Sequence, residues 1–194
     1  MVTSQQTIRR QALARSFALS VIFIAGITSG ALAQNNKGDK SSTLPGGASS
    51  VNETFEDWTV SCASANGKTQ CVVSQTQTQQ KNGQRVLDIR LSPVLKSDAY
   101  YGNLSLPFGL EFSRGVTAQL DDGQAGKPFS FKTCLPTGCI VPVIFDKATL
   151  DATRKATSLK LAAVSTDNQT IPFSISLKGF SAAFDRAASL VKGG

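Results

Sequence analysis

The chain has 194 residues, 41% of them hydrophobic, and a formal net charge of +7 from 20 basic and 13 acidic residues. It contains no histidine, which excludes the Ser-His-Asp and Cys-His catalytic arrangements. The basic residues are scattered rather than gathered in a run, so nucleic acid is not an expected partner.

Residues 1–33 have the order of a secretory signal peptide. Three arginines lie between residues 9 and 15, an apolar segment follows at residues 17–27, and Ala31-Leu32-Ala33 is a small-residue cleavage motif before Gln34. An uncleaved membrane anchor is the alternative, but the apolar segment is short for a bilayer span and no later segment could span as a helix. Cleavage removes the three arginines and lowers the net charge to +4. We therefore expect an exported protein of the periplasm, the outer-membrane surface or the medium.

Residues 34–52 are rich in Ser, Gly, Asn and Lys and contain almost nothing apolar. Such a segment cannot bury enough surface to offset its ordering entropy, so it is predicted to be a flexible linker. Residues 53–194 are predicted to form a single domain with one core.

The four cysteines fall as two close pairs, Cys62 with Cys71 and Cys134 with Cys139. In an oxidising compartment this spacing favours two local disulfides. Neither pair has the C-x-x-C spacing of redox catalysts, and without histidine a zinc site would need all four thiolates. We predict structural disulfides and no metal or cofactor.

The first strand is predicted at Phe55–Cys62. Asn66-Gly67, the strongest short hairpin signal, predicts the turn that follows it. This turn places Cys62 opposite Cys71 in a non-hydrogen-bonded pair, within disulfide range. The residues on the same, inward face are Trp58, Val60 and Val73.

A second hairpin is predicted at Asn82-Gly83, with Leu87, Ile89 and Leu91 buried opposite Thr78, Thr76 and Ser74. The opposite face then carries a row of glutamines, either a solvated face or a recognition surface. The row consists of Gln75, Gln77 and Gln79. Val73 faces inward in the first hairpin, whereas Ser74 and Thr76 face inward in the second, although all three lie on the same strand. A β-bulge near Ser74 or a sheet covered on both faces would reconcile the two hairpins.

Residues 92–103 are predicted to be a turn-rich loop that exposes Tyr100 and Tyr101. Tyrosines are enriched at interfaces, so this pair is a candidate contact; the alternative is that both cap the edge of the core. Short strands follow at residues 104–106 and 115–120. Asp121-Asp122-Gly123 is predicted to be a turn, because the further ligands of an EF-hand are absent.

A central hairpin is predicted within Pro128–Phe145, where Pro136 and Gly138 favour a turn that sets Cys134 opposite Cys139. The period-two pattern then gives one apolar face on which other strands pack. This face consists of Phe129, Phe131, Ile140 and Ile144.

The last third of the chain is predicted to contain two helices and a hairpin. Asp146 caps a short helix that ends near Lys155. Strands 159–164 and 170–177 carry odd-numbered apolar residues, which requires a three-residue loop, Asp167-Asn168-Gln169, with one left-handed residue. Ser181 is the predicted cap of a C-terminal amphipathic helix that packs across the sheet. Its apolar residues are Phe180, Phe184, Ala187 and Val191.

The predicted fold is mainly β: an antiparallel β-sandwich or partly closed barrel with one or two short helices. The series of turn-marked hairpins along the chain carries this prediction.

Several of these motifs, taken in order, resemble the invasion-associated locus B family of exported alphaproteobacterial proteins. The matching segments are Phe55-x-x-Trp58-x-Val60-x-Cys62, Cys71, Leu106-Pro107-x-Gly109, Pro128-Phe129, Cys134-x4-Cys139 and Ser176-Leu177-Lys178-Gly179-Phe180-x-x-Ala183. The resemblance covers residues 55–183. It implies an exported, disulfide-bonded β domain with a role at the bacterial surface, and it supplies no catalytic residues.

Three classes of function remain. The first is a non-catalytic binding module whose partner is a macromolecule of the envelope or the host surface, with a contribution to host-cell invasion. The second is a periplasmic carrier of a small apolar ligand, which an open apolar cavity would favour and a sealed interior would disfavour. The third is a hydrolase that uses a carboxylate pair, such as Glu53, Glu56 or Glu111 with an aspartate. We expect the first.

Overall fold

The structure is a computed structural model that describes residues 44–94 and 97–193. The predicted signal peptide and residues 34–43 of the predicted linker lie outside the described residues. The strands are β1 (Ser50–Phe55), β2 (Trp58–Ala65), β3 (Lys68–Thr78), β4 (Arg85–Pro93), β5 (Tyr100–Leu106), β6 (Val116–Leu120), β7 (Thr133–Leu135), β8 (Gly138–Phe145), β9 (Ser158–Val164) and β10 (Thr170–Ser176); the helices are α1 (Lys147–Thr153) and α2 (Phe180–Lys192).

Within these residues the strands form two antiparallel sheets. The large sheet has the order β1-β2-β3-β4-β5-β8-β7, and the small sheet has the order β10-β9-β6. One buried cluster contains side chains from both sheets and from α2, so the sheets and the helix share a core. The predicted mainly-β antiparallel fold with a C-terminal helix is confirmed.

Helix α2 covers part of the inner face of the large sheet through aromatic contacts. Phe180 meets Trp58 edge to face, with ring centroids 5.0 Å apart, and Phe184 packs on Tyr100 at 4.1 Å. The predicted cap at Ser181 is wrong, since the N-cap lies two residues earlier, at Gly179 with φ 80°, and the helix begins at Phe180. A Cβ atom on Gly179 would lie 2.0 Å from the carbonyl oxygen of Phe55, so only glycine permits this approach of helix and strand.

The first hairpin and both disulfides are confirmed. Ala65 pairs with Lys68 and Cys62 with Cys71, in the predicted register. The α-carbons of the cysteine pairs are 4.1 Å apart for Cys62–Cys71 and 3.9 Å for Cys134–Cys139. The predicted inner layer is fully buried: Trp58, Val60 and Val73.

The ordered domain begins before Glu53. Leu44 is only 3% exposed, and β1 starts at Ser50 and pairs with β2 along its length. A turn at Glu56, which has φ 51°, separates two strands where the sequence predicted one. None of the β1 side chains is fully buried, although Val51 and Phe55 pack against the core. Backbone hydrogen bonds to β2 along the whole strand add to this packing, and an apolar pattern does not reveal them.

The predicted register of the second hairpin is wrong by one residue. The loop has four residues, 80–83, closed by a hydrogen bond from Gln79 N to Gln84 O, instead of the two-residue Asn82-Gly83 turn. A bulge between the Thr78–Arg85 pair and the next pair then sets Gln77 opposite Leu87. The predicted conflict of faces is resolved by this bulge at the turn and not by one near Ser74.

This shift turns two of the three glutamines toward the small sheet. Gln75 Nε2 donates to Ser176 O at 2.9 Å, and Gln77 Nε2 donates to Ser174 O at 2.7 Å. Trp58 Nε1 donates to Ser176 O as well, at 2.9 Å. We call these three side chains the sheet clamp, because they join β2 and β3 of the large sheet to the backbone of β10.

The predicted apolar face of the central hairpin is also wrong. From Cys139 onward the buried residues of β8 are the odd-numbered ones, while Ile144 is 63% exposed and Phe129 lies at the surface. Both faces of β8 carry apolar side chains, so alternation alone could not decide between them. Packing of α2 and the small sheet on the odd-numbered face decides it. Phe131 stacks on Phe112 instead, with centroids 4.6 Å apart.

The predictions for the last third hold with small shifts. Asp146 caps α1 by accepting a hydrogen bond from Thr149 N at 2.8 Å, and the helix ends at Thr153. Beyond the strand ends, Ser165 N donates to Gln169 O and closes a three-residue loop with Asn168 left-handed, but this loop spans 166–168 instead of 167–169. Odd-numbered residues pair with odd-numbered residues across β9 and β10, as predicted.

We predict that Gln75→Ala lowers the free energy of unfolding by about 1–2 kcal/mol, because it removes a buried donor to the carbonyl of Ser176. Urea titration followed by circular dichroism measures the change. The matched control is Gln79→Ala. Gln79 directly follows the end of β3 and is exposed, so this substitution should lower the free energy of unfolding by about 0.5 kcal/mol or less. Equal losses in the two variants would contradict the clamp.

Candidate functional site

The two predicted contact tyrosines lie in strand β5 and not in a loop, and they point to opposite faces. Tyr100 is 6% exposed, and its hydroxyl donates to the carbonyl oxygen of Phe184 at 3.2 Å. Burial raises the pKa of Tyr100 to about 12. Tyr101 is 45% exposed on the outer face of the large sheet, directly opposite Ile144 of β8. The predicted pair is therefore one core residue and one surface residue.

The predicted glutamine surface does not form as a row. Gln75 is 5% exposed and Gln77 is half-buried, since both serve the sheet clamp, and only Gln79 lies in solvent. The sequence could have revealed this role through Val73. Because Val73 faces inward in the first hairpin, residues 75 and 77 of an unbroken strand must face inward too.

An open groove of about 820 Å³ lies between the two sheets, where β8 and β6 diverge. We call it the intersheet groove. Its floor is apolar and consists of buried side chains from both sheets: Ile89, Leu104, Val116, Leu161 and Ile175. These floor side chains also belong to the buried core that the two sheets share.

The two sides of the groove come from different sheets. Ala118 and Leu120 of β6 form one side, and Val143 and Phe145 of β8 form the other. β7 pairs only with residues 138–140 of β8, so within the described residues the rest of β8 has no strand neighbour on that side. Pro142 lacks a backbone N–H, which suits an unpaired edge. The short β7 therefore leaves the groove open.

Residues 126–129 form the rim on the β6 side, and backbone hydrogen bonds hold them there. Val116 and Phe129 exchange two hydrogen bonds, at 2.9 and 2.8 Å, and Gly126 N donates to Ala118 O at 2.9 Å. Gly115 makes this possible, since a Cβ atom there would lie 2.6 Å from Phe129 O, and its φ is 64°.

The base of the same rim is fixed by Asp121. Its carboxylate accepts hydrogen bonds from the hydroxyl and the backbone N–H of Thr157 and from the backbone N–H of Ser158. These bonds, the Thr157 hydroxyl first, lower the pKa of Asp121, so it stays charged at neutral pH. The predicted turn at this position therefore also anchors one side of the groove.

Among the residues that line the groove, one is basic and one is acidic, and both lie at the rim. Lys127 lies on the β6 side and Asp146 on the β8 side. Asp146 is occupied as the cap of α1, whereas no ion pair in the described part of the chain involves Lys127. In the described residues no three His, Cys, Asp or Glu side chains are grouped as metal ligands.

Two of the carboxylates considered for catalysis have structural partners. Glu53 forms two hydrogen bonds with the Arg186 guanidinium, both at 2.7 Å, and these lower its pKa. Glu111 accepts hydrogen bonds from the Ser113 hydroxyl and backbone N–H, which lower its pKa as well. A general acid at neutral pH needs a raised pKa, so neither environment suits that role.

None of the helices in the described ranges combines the length and the apolar character needed to cross a bilayer.

Comparison with known proteins assigns the chain to a family. The model of the "Invasion associated locus B (IalB) protein" family matches residues 58–188. The chain belongs to the IalB family. An invasion protein B homolog from Brucella abortus (strain 2308) is 43% identical over 151 residues, which cover 77% of this chain and 86% of the relative. Invasion protein B from Bartonella bacilliformis is 34% identical over 174 residues, 86% of this chain and 92% of the relative.

A solved structure agrees with this assignment. The crystal structure of invasion associated protein b from Bartonella henselae matches with a TM-score of 0.67 and 33% sequence identity, covering 74% of this chain and 99% of that chain. The resemblance drawn from the motif order is therefore confirmed for this IalB protein.

We predict that the two tyrosines contribute very differently to the free energy of unfolding. Tyr100→Ala should lower the free energy of unfolding by about 3 kcal/mol, because it empties a core position against Phe184. Tyr101→Ala should cost about 0.5 kcal/mol or less, because the side chain faces solvent. Chemical denaturation of both variants provides the test, and a large loss for Tyr101→Ala would contradict its placement on the surface.

Proposed function

We propose that this IalB protein is an exported, non-catalytic binding protein of the bacterial envelope that contributes to host-cell invasion, and that the intersheet groove is its binding site. Export is supported by the signal-peptide pattern of residues 1–33 and by two disulfides, which persist in oxidising compartments. The invasion role is supported by the names of its relatives.

The observation that carries the binding site is the groove itself. Its volume, about 820 Å³, lies in the range of small-molecule sites, and its lining is mostly apolar with a few polar groups at the rim. This corresponds to the carrier function, in a form where the ligand lies in an open cleft and not inside the core.

Three features favour binding over catalysis. The sequence has no histidine, and all four cysteines are joined in disulfides. The carboxylates of Glu53 and Glu111 are held in hydrogen bonds that lower their pKa values. The common nucleophile–base pairs of hydrolases are therefore not offered by these residues.

We predict that the protein binds a nonionic amphiphile, dodecyl maltoside below its micelle concentration, in the groove. Ala118→Phe should weaken binding about tenfold or more, because the added ring occupies apolar surface that the alkyl chain would cover. Isothermal titration calorimetry measures the affinity. Ala63→Phe is the matched control, since Ala63 is exposed on β2 and does not line the groove.

Both variants should have the melting temperature of the wild-type protein, so that weaker binding cannot be attributed to unfolding. Absence of binding by the wild-type chain, or equal weakening by the two variants, would refute the groove as the site.

A second candidate partner is a macromolecule of the envelope or host surface, bound on the outer face of the large sheet. The specific observation is that Tyr101 and Ile144 are both exposed and lie directly opposite each other across β5 and β8. Aromatic side chains are enriched at protein interfaces, and the neighbouring Ile144 adds exposed apolar surface to Tyr101.

For this candidate, we predict that Tyr101→Ala reduces capture of an envelope or host-membrane component by the immobilised protein, with an unchanged melting temperature. Gln79→Ala serves as the control, because it is equally accessible and distant from the Tyr101–Ile144 pair in the sheet. Equal capture by wild type and Tyr101→Ala would exclude this surface.

A further inference from the structure

We infer that the intersheet groove takes a single-chain amphiphile with an anionic head group, and that Lys127 binds that head group. This inference rests on the proposed function, because it assigns a ligand class to the same groove.

The position of Lys127 is defined by the backbone around it. Gly126 N donates to Ala118 O, and Phe129 exchanges two hydrogen bonds with Val116, so the segment is tied to β6 on both sides of the lysine. Pro128 follows directly and restricts the backbone of Lys127 to extended conformations. The backbone of Lys127 is therefore held at the rim of the groove by a constrained segment.

The charge of Lys127 is available for a ligand. Five ion pairs are present in the described part of the chain, and their basic members are Arg90, Lys147, Arg154, Lys160 and Arg186. Lys127 is not among them, and no other basic residue lines the groove. An apolar cleft with one unpaired cation at its rim is complementary to an apolar chain that ends in an anion.

Asp146 on the opposite side sets where that anion can lie. Its carboxylate accepts a hydrogen bond from the backbone N–H of Thr149, which lowers its pKa and keeps it negatively charged at neutral pH. An anionic head group is repelled from the β8 side and attracted to the β6 side. The tail then lies along the apolar lining that begins at Ala118 and Leu120.

The test uses the full chain, expressed and purified as the exported protein, and three probes that share a dodecyl chain: dodecyl phosphate, dodecyl maltoside and dodecyltrimethylammonium. Calorimetry below the micelle concentrations should give the tightest binding for dodecyl phosphate. Lys127→Gln should weaken dodecyl phosphate about threefold to tenfold and leave dodecyl maltoside unchanged, since it removes one partly exposed charge pair.

Two further variants make the result specific. Lys132→Gln removes the same charge outside the groove and should have no effect. Asp146→Asn keeps a good helix cap and removes the opposing charge, so it should tighten dodecyl phosphate binding and leave dodecyl maltoside binding unchanged. Equal loss in Lys127→Gln and Lys132→Gln would overturn the inference, because attraction would then be non-specific.

The outcomes also separate this inference from the proposed function. If none of the three probes binds, the groove is not a binding site and both fail. If dodecyl maltoside binds as tightly as dodecyl phosphate, the proposed function stands and the anionic preference is refuted. If the protein bound phosphatidylglycerol vesicles but none of the free probes, the inference that the ligand is a single-chain amphiphile would be refuted.

Discussion

Three side chains of the large sheet, Trp58, Gln75 and Gln77, donate hydrogen bonds to backbone carbonyl groups of β10. β10 is an edge strand, so carbonyl groups on the side away from β9 have no strand partner. The sheet clamp satisfies two of them, the carbonyl groups of the partly buried Ser176 and the exposed Ser174, with donors from β2 and β3. The clamp fixes the position of the small sheet on the large one and thereby orders the core between them.

The clamp acts at one edge of the small sheet only. β10 is joined to the large sheet, whereas β6, at the other edge, is covered by residues 126–129 of its own connection. The large sheet ends nearby in β7, which is three residues long. The sheets consequently meet closely at β10 and diverge at β6 and β8, where the intersheet groove lies. The same arrangement that closes the core on one side thus leaves an apolar cleft on the other.

Helix α2 completes the core and is positioned by backbone contact as well as by apolar burial. Gly179 lets the start of the helix approach Phe55 of β1, and Arg186 binds Glu53 of the same strand. These contacts hold β1, which buries no side chain fully, against the body of the domain. This arrangement leaves open the two surfaces that we propose for binding, the groove and the outer face at Tyr101.

The sequence by itself determined the features that depend on neighbours a few residues apart. The Asn66-Gly67 turn set the register that joins Cys62 to Cys71, and the odd-numbered apolar residues of β9 and β10 set their pairing. Family membership also followed from local motif order. Tertiary structure alone decided the inner face of β8, the hydrogen-bond partner of Gln75, the burial of Tyr100 and the existence of the groove. β8 is apolar on both faces, and a glutamine amide or a tyrosine hydroxyl suits either water or a buried carbonyl group. Only the packing of distant elements, α2 and the small sheet, distinguishes these alternatives, because it determines which side chains lose their contact with water.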